Sequence, residues 1–184
     1  LKPKVAVALA GVLNLIGAFL SVAVAKTVAG GIVKLDLFDL NDTLDSERLL
    51  LVVFAGLAGG IMWNLFTWLF GIPSSSSHAL FGGLIGAAIA AIGFDGVVWQ
   101  GVLDKIIVPA LFAPFVAGLI AAIGTWLVYK LTANAEKDHR DNYFRWGQIG
   151  TASLVALAHG TSDAQKTMGV IFLAMVAAGQ FGSD

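Results

Sequence analysis

Apolar residues along this chain fall into long unbroken runs rather than into the alternation of a half-buried strand. Three runs are long enough to cross ~30 Å of hydrocarbon: residues 5–25, 49–72 and 106–129. Between the second and third lies a shorter segment, 79–93, rich in Gly and Ala. After residue 148 come two more short apolar pieces, 149–158 and 170–179. Two polar clusters interrupt this pattern: "GIPSSSSHALFGG" at 71–83 and "AHGTSDAQKTMG" at 158–169. Half-length apolar segments on either side of a polar break predict discontinuous helices or re-entrant hairpins. The pattern therefore predicts an all-α multi-pass membrane protein.

Composition strengthens that reading. Of 184 residues, 58% are hydrophobic and only 12% charged, about half the charged fraction of a soluble domain. The formal net charge of −1 comes with no basic stripe, which argues against nucleic acid as a partner and leaves the lipid bilayer. There are no cysteines, which excludes disulfides and Cys-based metal or redox chemistry. The chain begins at Leu1 with no signal-peptide pattern and reads as a piece of something longer.

The charges outside the runs orient the chain. Lys2 and Lys4 precede the first span, and Lys130, Lys137, Arg140 and Arg145 crowd the segment after the third. Residues 34–48 are acidic instead, with Asp36, Asp39, Asp42, Asp45 and Glu47 against Lys34 and Arg48. By the positive-inside rule the N-terminal end and the 130–148 loop lie in the cytoplasm, with 34–48 outside. Four crossings before residue 130 satisfy this if 79–93 crosses; re-entry of 73–93 would break the parity.

Almost every charge sits in a loop or at a span end, where Lys26 can snorkel and His139 is solvated. Asp163 and Lys166 are the exceptions. A charge at bilayer depth costs at least ~2.5 kcal/mol, so it marks a functional site by default. His78 and His159 fall in the two breaks, where either could serve merely as a backbone partner. Ser and Thr before an apolar helix are capping residues. In the second break Ser162 and Gln165 fit a capping box, with Asp163 in the first turn. Both clusters thus predict helix N-termini inside the membrane, where free N–H groups suit an anion and Asp163 suits a cation or proton. A Pro-Ser turn alone reads as surface loop; the pairing with an intramembrane Asp favours a site. Asn14 and Asn64 read as interhelical hydrogen-bonding residues, and the span glycines as close-packing positions.

"WNLFTWLFGIPSSSSHALFGGLIGAAIA" (63–90) and "LAHGTSDAQKTMGVIFLAM" (157–175) resemble the inorganic phosphate transporter (PiT) family, in particular its bacterial low-affinity branch. "ALAGVLNLIGA" (8–18) is similar to a first-repeat helix of that family. The resemblance implies an inverted-repeat carrier that couples inorganic phosphate to a cation, H⁺ or Na⁺, in the plasma membrane, without enzymatic activity or a resident cofactor. Residues 1–131 would be the transmembrane part of the first repeat, 132–148 a cytoplasmic loop, and 149–184 the start of the second repeat with a broken helix. The remaining blocks of each repeat would lie before Leu1 and after Asp184, so this stretch would hold half a site. The resemblance places phosphate contacts at Ser75, Ser76, Ser77, Thr161 and Ser162. It places the coupling ion at Asp163, Ser162 and Asn14, with Pro73, Ser74, His78, His159, Gly160, Gln165 and Lys166 as motif support and no metal site. Ser162 stands where the family usually has Asn, which removes an amide. A neutral Asn14 leans toward protons or a neutral metal–phosphate complex as cargo. A homodimer is compatible with this picture.

Three rivals remain. The same fold could carry sulfate or another oxyanion. An intramembrane Ser/His hydrolase would use the Ser, His and Asp present, but there is no Gly-x-Ser-x-Gly elbow. A purely structural membrane subunit would tolerate Ala at Ser75, Ser76 and Ser77.

Overall fold

The structure, a computed structural model, describes residues 1–20, 31–39, 42–133 and 137–180. Five long helices account for most of it: α1 (Pro3–Phe19), α2 (Thr43–Leu69), α3 (Ser76–Ile92), α4 (Trp99–Thr132) and α5 (Lys137–Ala177). No strand occurs among the described residues, where the only sheet-like feature is an isolated antiparallel bridge, Val33 to Val97.

The helix boundaries follow from local chemistry. Pro3 opens α1, where its missing N–H costs nothing. Asp42 caps α2 by accepting from the Leu44 N–H at 3.1 Å, and Asp45 in the first turn complements the helix dipole. After α2 the chain turns at Gly71, whose φ of +65° suits a residue without a Cβ. Ser75 caps α3 by accepting from the His78 N–H at 3.4 Å, as the first polar break predicts. α3 ends on Gly93, at φ +96°. Within α4 the turn over Leu103–Ile107 widens to π geometry. Pro109 follows it and has no N–H to return to the Lys105 carbonyl, which accounts for the loosened turn.

Two of the three long runs fall in helices of membrane length, α2 and α4, while α1 and α3 are shorter apolar helices. α2 begins six residues before the run at 49–72, because Asp42 supplies a cap upstream of the apolar stretch. Of the first run, residues 5–19 lie in α1; residues 21–25, with Lys26, are outside the described residues. α4 extends the third run at both ends.

The largest departure lies at 158–166. The predicted helix start there is wrong: α5 runs without interruption from Lys137 to Ala177, so 149–158 and all but the last two residues of 170–179 are parts of one rod. The polar cluster is compatible with a continuous helix because its charges pair along it. His159 Nε2 lies 3.2 Å from Asp163 Oδ2, and Lys166 Nζ lies 3.1 Å from Asp163 Oδ1. These are the four- and three-residue spacings that place side chains on one helix face. Thr161 turns its hydroxyl back to the Leu157 carbonyl at 2.9 Å, satisfying it inside the helix. Ser162 and Gln165 do not form a capping box; the Gln165 carboxamide reaches another helix instead.

Two helix pairs build the molecule. α2 and α3 form an antiparallel hairpin in which Gly56 lies against Leu84 and Gly60 against Ala79 and Leu80. A Cβ on Gly83 would strike the Gly56 carbonyl and come within 3.0 Å of the Gly60 nitrogen, whereas one on Gly82 would meet nothing within 4 Å. Gly83→Ala should therefore destabilise the full-length protein by about 1–3 kcal/mol while Gly82→Ala leaves it unchanged, measured by thermal unfolding in detergent. α1 and α5 run parallel, with Leu1 and Ala6 sharing a cavity wall with Arg145 and Ile149 and Gly17 set against Leu157 and Thr161 further along.

The segments flanking the α2–α3 hairpin are tied together at one end. Lys34 N–H donates to the Gly96 carbonyl at 3.0 Å and Val98 N–H to Ile32 at 2.9 Å. Arg48 reaches the Ala91 carbonyl at 3.5 Å. Beneath these contacts Ile32, Val33, Leu49, Val52, Leu84, Val97 and Leu173 form the buried core. The acidic segment and the 93–98 connection thus share an end. By contrast, Val108–Thr132 of α4 buries none of its residues.

Candidate functional site

The two polar clusters meet. Lys166 Nζ donates to Ser77 Oγ at 3.0 Å and to Asp163 Oδ1 at 3.1 Å, bridging α3 and α5 across a sequence separation of 89 residues. His159 occupies the other carboxylate oxygen of Asp163. A row of imidazole, carboxylate, ammonium and hydroxyl therefore runs along one face of α5 to the first turn of α3.

Each group is held by its helix. Ser77 is half-buried in the first turn of α3, where N–H groups without intrahelical acceptors and the positive end of the dipole are found. Ser75 is committed to the cap, and Ser74 accepts from the Trp63 indole N–H at 3.1 Å. His78 shares a cavity wall with Trp63, Ser74 and Ser75. On α5 the charged row is partly open: side-chain exposure is 62% for His159, 41% for Asp163 and 24% for Lys166.

Behind the row, α5 is clamped to α1. Gln165 is 1% exposed and its amide donates to the Ala18 carbonyl at 3.0 Å. That carbonyl belongs to the last turn of α1, where acceptors lack helical donors. Gly160 packs against the Asn14 backbone.

Not every sequence candidate joins the row. The Asn14 amide donates to Ala10 at 2.8 Å within its own helix, so it is tied up in α1. The Thr161 hydroxyl is likewise spent on Leu157, and Ser162 is exposed. Pro73 lies in the turn before α3 and Ser76 opens that helix. Lys166, which the sequence marks as an intramembrane charge and the resemblance as motif support, is the residue that joins the clusters. Trp63 was missed altogether. The spacing 159, 163, 166 carried the signal for the row, while nothing local marks Trp63 as the partner of Ser74.

Two apolar helices of membrane length, together with an ion-paired polar row that joins α3 to α5, define an all-helical membrane protein with a partly open polar site. The chain belongs to the phosphate transporter family, whose model matches residues 1–183. It is 59% identical over 179 residues to a "Probable low-affinity inorganic phosphate transporter" of Mycobacterium tuberculosis, covering 97% of this chain and 40% of that protein. It is 31% identical over 201 residues to the "Low-affinity inorganic phosphate transporter PitA" of Escherichia coli, covering 96% of this chain and 39% of that one. The chain thus spans about two fifths of the length of these relatives. A solved structure described as "The sodium-dependent phosphate transporter" shares the fold, with a TM-score of 0.77, 21% identity, and coverage of 96% of this chain and 59% of that one.

Proposed function

We propose that the full-length protein carrying this chain moves inorganic phosphate across the plasma membrane by alternating access, coupled to H⁺ or Na⁺. The cargo is phosphate itself or its neutral metal complex, and the protein is a carrier rather than an enzyme. The observation that carries this reading is the bridge that Lys166 makes between Ser77 and Asp163. It sets a helix start and an ammonium, both suited to an oxyanion, beside a carboxylate suited to a cation. Family membership and the names of the relatives support phosphate as the anion.

Ser75, Ser76 and Ser77 with the first N–H groups of α3 bind the oxyanion, and Asp163 takes the cation. Pairing the two charges at depth lowers the cost of carrying either through hydrocarbon. The basic 130–148 segment, which lies largely in the end of α4 and the start of α5 rather than in a loop, faces the cytoplasm and 34–48 the outside, in keeping with the Lys and Arg counts.

Proteoliposomes containing the full-length protein decide it. Labelled phosphate should accumulate under an imposed H⁺ or Na⁺ gradient, with arsenate competing and sulfate not. No accumulation under either gradient would end the carrier reading. Competition by sulfate would widen the cargo, and covalent labelling of one serine by a fluorophosphonate would favour a hydrolase.

A further inference from the structure

We infer that Lys166 is shared between the Asp163 carboxylate and the transported anion, so that neutralising Asp163 hands the ammonium to phosphate. The inference rests on phosphate binding at the start of α3. It goes further by assigning Lys166, which bridges the two clusters, the role of linking anion to cation.

An ammonium has three donors and no acceptor. Two of those donors are directed at Ser77 Oγ and Asp163 Oδ1, at 3.0 and 3.1 Å. Lys166 therefore already stands at the anion-favouring end of α3, tethered there by a carboxylate. Ser77 lies in the first helical turn, so an anion bound by that turn comes within reach of the same nitrogen. The carboxylate opposes such an anion by holding the ammonium. A cation or proton on Asp163 releases it. Phosphate affinity then rises when the cation binds, and by linkage cation affinity rises when phosphate binds. Coupling of this kind needs no contact between the two transported species.

The charged and titratable groups around the row among the described residues are His159, on Asp163 Oδ2, and His78, next to Ser77. Near the row α1 presents Asn14, whose amide is turned to its own helix, and α2 presents Trp63, both neutral. All variants are compared at one pH.

Equilibrium binding of labelled inorganic phosphate to purified full-length protein, in Na⁺-free buffer at one pH, tests the exchange. Asp163→Asn should tighten phosphate binding by about tenfold, the worth of one charge-assisted hydrogen bond released to the anion. Lys166→Gln should weaken it by about tenfold for the same reason. The double variant should bind like Lys166→Gln alone, because the benefit of losing the carboxylate passes through the ammonium. Lys166→Arg should retain wild-type binding to within a few-fold. A merely structural pair would show both single variants weakened together. Unchanged or weaker binding by folded Asp163→Asn overturns the inference, as does a tightening that persists without Lys166. If Lys166→Gln fails to fold, Asp163→Asn and Lys166→Arg still decide the outcome. Wild-type protein that binds no phosphate defeats the carrier reading itself, a result distinguishable from these.

Discussion

Asp163→Asn in the full-length protein abolishes accumulation of phosphate against its gradient, at unchanged protein level in the membrane. Asn keeps the size and the helix but loses the charge. In α5 both carboxylate oxygens are engaged, Oδ1 by Lys166 and Oδ2 by His159. An amide can accept with only one of these atoms. It can neither neutralise a bound cation nor take up a proton near neutral pH, so a gradient has nothing to act through. Concentrative uptake should fall by at least ~10²-fold, the ratio that the minimal cost of an unpaired charge at depth converts to. Exchange of labelled for unlabelled phosphate with no gradient should survive, since the binding groups on α3 are untouched. Concentrative uptake at the wild-type rate would remove Asp163 from the mechanism.

Gly160→Val should leave almost no folded protein. At this crossing α1 and α5 touch backbone to backbone. A Cβ on Gly160 would strike the Asn14 carbonyl and lie 2.6 Å from the Asn14 Cα; one on Gly17 would lie 2.9 Å from the Thr161 nitrogen. No flexible side chain stands there to move aside, so the helices must separate. Separation also breaks the buried Gln165 bond to Ala18. The combined cost is about 3 kcal/mol or more, a large part of a membrane domain's stability. Gly124→Val on α4 is the control, because nothing lies within 4 Å of its Cβ position. Monodispersity after detergent extraction and the thermal midpoint would separate the two variants; a normal midpoint for Gly160→Val would refute the close crossing.

Both expectations concern α5, where sequence reading and structure part. The cluster "HGTSDAQK" looks like a helix start because its residue types are those of caps. In the structure the same residues lie mid-helix, since His159, Asp163 and Lys166 satisfy one another along the rod and no proline blocks it. Capping propensity is a statement about residue type, and it yields to side chains that find partners within the helix. At the first cluster the opposite holds. Gly71 and Pro73 break the chain ahead of the serines, so Ser75 caps a helix that must begin there.

What could be read from residues alone was whatever depends on near neighbours in the chain. The membrane-length runs, the start of α3 at the serines, the separation of acidic from basic connections and the two motif blocks of the phosphate transporter family are all of this kind. Hydropathy and capping act over a few turns, and so are written locally. The meeting of Ser77 with Lys166, the parallel clamp of α1 on α5 and the pairing of Trp63 with Ser74 depended on how the helices mesh in three dimensions. Those contacts follow from which glycine faces let two backbones come close. Of α3's neighbouring Gly82 and Gly83, only Gly83 lies at a backbone-to-backbone crossing with α2, and nothing in their sequence setting tells them apart.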